Sequence, residues 1–195
     1  MSTRAPDRET QILRASLRLF LDKGFHGTST REICRSVGIS SGLFFHYFPT
    51  KQAVYEHLVG IACRQMVLDL DAADADPLAY LGRLLARFIG LLERDRRNAA
   101  LFVFMAQVQR HPGISPVVDA LLDEHDLVRT TLPVFVEAQR RGHVRPGDPL
   151  ALSTALWSAV QGLAEEVALH PEHPLPDAAW YLDLVRAPGG TVSPA

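Results

Sequence analysis

Apolar residues return at helical spacing along nearly the whole chain, and no stretch shows the strict alternation of a half-buried strand. Leu13, Leu17, Phe20 and Leu21 fall at i, i+4, i+7 and i+8, which predicts a first helix over residues 7–23 ended by Gly24. Two short helices follow around Gly38, the second running from Ser40 to Phe48 and stopped by Pro49. Val54, Leu58, Ile61, Met66 and Leu70 mark a fourth helix over 51–71, roughly 30 Å long at 1.5 Å per residue. Further helices are predicted over 77–96, 98–109, 115–141, 149–169 and 176–185, with an acidic loop before Pro77 and a Pro/Gly-rich, mobile tail over 187–195. The expected fold is all-α, with about nine helices.

Residues 28–51 carry the sharpest local signal. Ser29 and Glu32 have the spacing of a capping box, in which serine hydroxyl and glutamate carboxylate each satisfy the other's backbone N–H. Ile33, Cys34 and Val37 form an apolar face. Gly38 sits where a left-handed residue ends a helix, and Ser40 caps the next one. Phe44 and Phe48, one turn apart, face back into the domain. That leaves Ser41, Gly42, Leu43, Phe45, His46 and Tyr47 on the outer side and flanks. A helix pair of this size, entered through small polar residues, suits insertion of its second helix into a DNA major groove. The same geometry also occurs in helical hairpins that never meet DNA.

The wider pattern separates these readings. Phe20-Leu21-Asp22-Lys23-Gly24-Phe25-His26-Gly27-Thr28-Ser29-Thr30 precedes the pair, and His46-Tyr47-Phe48-Pro49-Thr50-Lys51 closes it. Over about residues 8–56 the chain resembles the tetracycline-repressor (TetR) family of bacterial transcription regulators. The resemblance implies a three-helix DNA-binding head (1–50) and an all-helical ligand-binding and dimerising body (51–195), with 51–71 as the connecting helix. It implies DNA contacts from Ser29, Thr30, Arg31, Ser41, Gly42, Leu43, Phe45, His46, Tyr47 and Lys51. Arg31 would read guanine through O6 and N7, or clamp a phosphate, or form a surface ion pair. Ser29 and Thr30 suit a phosphate at a helix N-terminus, and Lys51 suits another. Tyr47 either contacts DNA or lies half buried with its hydroxyl bonded inside the head. Where Ser41, Leu43 and Phe45 stand, the family often has lysine or another polar residue, threonine or alanine, and tyrosine. Phe45 therefore lacks a usual phosphate-bonding hydroxyl, and Leu43 suggests contact with a thymine methyl.

Composition bounds the rest. With 47% hydrophobic and 22% charged residues among 195, the chain can bury a substantial core. It has no apolar leader and no run of about 18 apolar residues, so a cytoplasmic protein without a membrane partner is expected. Cys34 and Cys63 lack metal-ligand spacing. Residues 1–60 hold eight Lys/Arg against five Asp/Glu, and the remainder twelve against seventeen, so positive charge gathers on the groove-reading segment although the total is −2.

The body shows no enzyme constellation, and no cofactor is expected. Phe88, Phe102, Met105, Gln107, His125, Phe135, Trp157 and Gln161 are candidates for an effector pocket, implying an apolar or aromatic small molecule. Each apolar one also reads as ordinary core. His170 and His173 gather with Glu166 and Glu172 near Pro171, Pro174 and Pro176, where solvated side chains without a metal are expected. The helix over 149–169 is apolar nearly all round and so buried on several sides. In the resembled family the last two long helices pair two subunits, which points to Leu156, Val160, Leu163, Val167, Trp180 and Leu184 as a homodimer interface. The expectation is a ligand-released repressor on a palindromic operator. Its rival is a helical protein-interaction module that has lost DNA binding.

Overall fold

In a computed structural model of the protein, residues 7–65, 73 and 75–188 are described. The elements are helices α1 (Arg8–Gly27), α2 (Thr30–Val37), α3 (Ser41–Tyr47), α4 (Lys51–Gln65), α5 (Pro77–Arg94), α6 (Ala99–Arg110), α7 (Pro116–Glu124), α8 (Leu127–Thr130), α9 (Leu132–Arg140), α10 (Pro149–Leu169) and α11 (Ala178–Asp183), with a 3-10 turn at Arg96–Asn98. Among the described residues, extended pairing is confined to a single bridge between Val144 and Arg186. The all-α expectation holds. The fourth helix beyond Gln65 and the tail beyond Pro188 lie outside the described residues.

The chain divides into two compact units. The first unites α1–α4 with α6 and α7 as far as Asp123. Asp7 caps α1 by accepting from the Thr10 N–H at 2.7 Å, and Ile12, Leu13, Leu17 and Phe20 turn inward. Gly24, at φ 71°, breaks the helix where expected, but one more turn runs on through Gly27. Phe20 meets Tyr55 edge to face (5.4 Å between centroids) and stacks on Phe104 at 6.2 Å. Tyr55 in turn meets Phe104 and Phe25 edge-on at 5.2 and 5.0 Å. Such pairs add to area burial through their ring quadrupoles. Desolvation, with a smaller push from Asp119, raises the Tyr55 phenol to about 12. Val108 and Val118 of α6 and α7 close the same core against Ile33, Phe44 and Val54.

The second unit contains α5, the 3-10 turn and α8–α11. Here α5 packs on α9 and α11, while α10 packs on α8, α9 and α11. The predicted single helix over 115–141 is interrupted. Asp126 caps a new start by accepting from Val128 and Arg129 N–H groups, and Pro133 at the front of α9 brings no N–H to the ladder. Between them the buried Thr131 organises a polar knot. Its hydroxyl donates to the Leu127 carbonyl at 2.7 Å and accepts from the Trp157 indole N–H at 2.9 Å. Ser153 of α10 lies 3.2 Å from that hydroxyl and donates to the Val128 carbonyl at 2.9 Å. The break is thus fixed from α10, because apolar periodicity alone does not reveal a polar residue that helps bind a neighbouring helix. The predicted last helix over 176–185 is also shorter than expected, with Asp177 capping its start.

Gly38 ends α2 at φ 70° and ψ 41°, and a Cβ placed there would meet nothing within 4 Å. Replacing it costs backbone strain alone. Gly38→Ala is expected to destabilise the protein by about 1–2 kcal/mol in urea denaturation, without a cavity or clash term.

Candidate nucleic-acid interface

The two-helix unit is assembled by caps and two tie points. Ser29 and Glu32 form the expected capping box, with Glu32 Oε2 accepting from the Ser29 backbone N–H (2.9 Å) and hydroxyl (2.8 Å). Glu32 Oε1 also accepts from Lys23 Nζ at 2.7 Å, so α2 is tied to the end of α1. Thr28, buried between them, shares its hydroxyl proton between the Gly24 and Leu19 carbonyls. Past Gly38, Ser40 caps α3 by accepting from the Leu43 N–H at 3.2 Å. Cys34 brings its sulfur 4.0 Å from the Ser40 carbonyl, a close approach that a bulkier side chain would prevent.

Phe44 (fully buried) and Phe48 face the core, as their spacing predicts. Leu43, Phe45 and Tyr47 are exposed by 36, 50 and 38%, with Ser41, Gly42 and His46 exposed beside them. Tyr47 therefore stands out from the head, its ring edge-on to His46 at 5.4 Å. Arg31 is exposed at the front of α2, next to the exposed Ser29 and half-buried Thr30. Nine of the ten residues expected at the interface thus lie on α2, α3 or their caps with surface to offer.

The tenth, Lys51, is turned inward. Its ammonium donates to the Phe25 carbonyl at 2.5 Å and the Thr28 carbonyl at 2.7 Å, and sits 4.1 Å from the Phe25 ring centroid. Burial pushes its pKa down. These contacts bolt the front of α4 to the α1–α2 corner and engage two of the three ammonium N–H groups expected to face a phosphate. Its partners Phe25 and Thr28 lie 26 and 23 residues earlier in the chain, beyond the reach of any local pattern.

The other expected sites fare differently. Phe102, Met105 and Gln107 are half buried in the first unit, and the Gln107 amide donates to the Leu21 carbonyl at 3.2 Å. In the second unit Phe88, Phe135 and Trp157 are ordinary buried core, His125 is half buried in the turn before α8, and Gln161 donates to Glu165 at 3.3 Å. A shallow groove of about 590 Å³ in that unit, lined by Val136, Gln139, Val144, Pro146, Gly147 and Ala187, includes none of the expected pocket residues. Of the expected dimer face, Leu156, Val160, Leu163 and Val167 are buried inside their own chain, so that stripe of α10 is spent on intrachain packing. Trp180, 67% exposed, and Leu184 remain outward.

A helix-turn-helix with an outward second helix, in a chain that is helical among its described residues, is the arrangement by which DNA-binding transcription regulators reach a major groove. The family model for bacterial regulatory proteins of the tetR family matches residues 12–58. The regulator UidR of Escherichia coli is 26% identical over 162 residues, covering 80% of this chain and 79% of that protein. RutR of Escherichia coli is 28% identical over 169 residues, covering 81% and 74%. The ketosteroid transcriptional regulator KstR2 of Mycobacterium tuberculosis shares the fold at a TM-score of 0.73 and 18% identity, over 95% of this chain and 98% of that one. Residues 12–58 thus match the tetR-family model, and over most of its length the chain is similar in sequence to transcription regulators.

Two measurements check the geometry. Lys51→Ala is expected to lower stability by about 2 kcal/mol, the scale of charge-assisted hydrogen bonds lost from a partly buried site, as read by urea denaturation. Unchanged stability with weakened DNA binding would return Lys51 to the phosphate role. Glu32 is held down to about 2, first by the Lys23 hydrogen bond and then by the Ser29 N–H and hydroxyl. Its folded pKa is depressed, so its contribution is full above the ordinary value of 4.5 and fades as pH falls toward 2. Glu32→Gln is expected to flatten the stability profile across that window, and an unaltered acid limb would refute the assignment.

Proposed function

We propose that the chain represses transcription as a homodimer on a palindromic operator and lets go when a small molecule binds its C-terminal part. The observation that carries the DNA-binding reading is the outward face of α3. Three large apolar or aromatic side chains in five residues stand in solvent beside small polar ones, while the same short helix is anchored by buried Phe44. Exposed large apolar side chains gathered on so short a helix support a recognition role. A major groove offers it thymine methyls and base edges, with flanking phosphates for Arg31, Ser29, Thr30 and His46.

Residues 1–50 are the DNA-binding part in this reading, and 51–195 the ligand-binding and dimerising part. A single head binds weakly, and a two-fold dimer places two α3 helices in successive grooves about 34 Å apart. Exposed Trp180 and Leu184 supply apolar surface for pairing. An apolar or aromatic effector that prefers the conformation unable to bind DNA lowers DNA affinity, and DNA lowers effector affinity by the same factor. The relatives named as transcription regulators support this reading, and the cytoplasm is the compartment it implies. No helix among the described residues is long and apolar enough to cross a membrane.

Fluorescence anisotropy on a duplex from the region upstream of the protein's own coding sequence tests it, across a salt series. Wild type should bind with a steep negative log–log salt slope, and Phe45→Ala should bind at least about tenfold more weakly, the loss of a groove contact worth roughly 1.4 kcal/mol. Arg31→Ala should reduce the slope by about 0.9 if it neutralises a phosphate, or relax base preference at one position if it reads guanine. Absence of salt-dependent duplex binding would sink the proposal.

A further inference from the structure

We propose that the turn after α10 binds a divalent transition-metal ion of the zinc class through His170, Glu172 and His173, with Glu166 orienting His173 from behind. The inference does not depend on the DNA-binding reading.

The donors lie in one short, braced segment. His170 ends α10, its N–H donating to the Glu166 carbonyl at 2.8 Å, and the His173 N–H donates back to the His170 carbonyl at 3.1 Å. Pro171 and Pro174 restrict the backbone on either side. One ligand atom from each of His170, Glu172 and His173 lies within 4.8 Å of the others. Glu172 Oε1 stands 3.7 Å from His170 Nδ1 and 3.9 Å from His173 Nε2. Both distances exceed a hydrogen bond. They approach the roughly 3.4 Å that separates donors around a tetrahedral ion with bonds of about 2.0–2.2 Å, so small rotations of exposed side chains complete the site.

The outer partner is the second observation. His173 Nδ1 lies 2.9 Å from Glu166 Oε1, one helical turn back from the end of α10. With Nδ1–H donating to that carboxylate, Nε2 is the ring's lone-pair nitrogen and it faces Glu172. This carboxylate–imidazole arrangement is the one that fixes a histidine ligand's tautomer and ring orientation. The rings of His170 and His173 lie nearly parallel, 4.8 Å apart and 16° between planes, so their edges run side by side. The carbonyl end of α10 adds a negative dipole end favourable to a cation. Two imidazoles and one carboxylate select zinc, nickel, cobalt or copper over magnesium or calcium, which need all-oxygen shells. Exposure of all three donors leaves further coordination positions to water.

Isothermal titration of the full chain, free of any histidine tag, with Zn²⁺ and separately with Mg²⁺ tests the site. The expected result is about one Zn²⁺ per chain, the stoichiometry of a single three-donor site, and no response to Mg²⁺. His170→Ala and His173→Ala should each weaken Zn²⁺ binding by more than about tenfold, and Glu166→Gln by about tenfold, as loss of an outer partner does. All four side chains are exposed, so the variants should keep their helical circular dichroism. Co²⁺ should give a visible ligand-field absorption that Glu166→Gln shifts, which a merely structural role would not do. Absence of Zn²⁺ binding would overturn the proposal and leave an ordinary ion-pair network. Binding unaffected by both histidine variants would overturn it too, placing the ion elsewhere.

Discussion

The helix-turn-helix of this molecule hangs on the burial of two rings, Phe44 and Phe48. Helix α3 spans seven residues, too few to persist as an isolated helix in water. It is held because these rings are packed into the first unit's core beside Ile33 and Val54. The helical period then leaves Leu43, Phe45 and Tyr47 no inward route. The outward face of α3 is therefore a consequence of where the anchors go.

Polar bonds set the angles that the rings cannot. Lys51 fastens the start of α4 to carbonyls at the corner between α1 and α2, and Lys23 holds α2 through Glu32. Thr28 seals that corner with a hydroxyl whose partners lie in α1. In the second unit Thr131, Ser153 and Trp157 play the corresponding part around the α8–α9 break. Buried polar groups are costly unless bonded, so the bonds of Thr28 and of the Thr131–Ser153–Trp157 knot admit few alternative arrangements, whereas the Lys23–Glu32 pair lies at the surface.

The turn after α10 works differently. There the bonded groups are exposed, and backbone hydrogen bonds with flanking prolines bring imidazole and carboxylate donors together. In the interior such donors would have to satisfy one another. At the surface they retain the capacity to meet an ion from solution.

Local patterns were enough for several features: the capping box at Ser29 and Glu32, the left-handed stop at Gly38, the cap at Ser40, and the opposition of Phe44 and Phe48 to Leu43, Phe45 and Tyr47. Each depends on residues within about one or two helical turns, where the backbone imposes the geometry. Which residues meet across long separations was not legible. The inward commitment of Lys51 to residues 25 and 28, the entry of Phe104 into the Phe20–Tyr55 core, the breaking of the helix over 115–141, and the burial of Leu156, Val160, Leu163 and Val167 within their own chain were decided by tertiary packing. Helical periodicity says that a side chain belongs to an apolar or polar face. It does not say which neighbour covers that face, because the covering partner is chosen by the three-dimensional competition among all such faces.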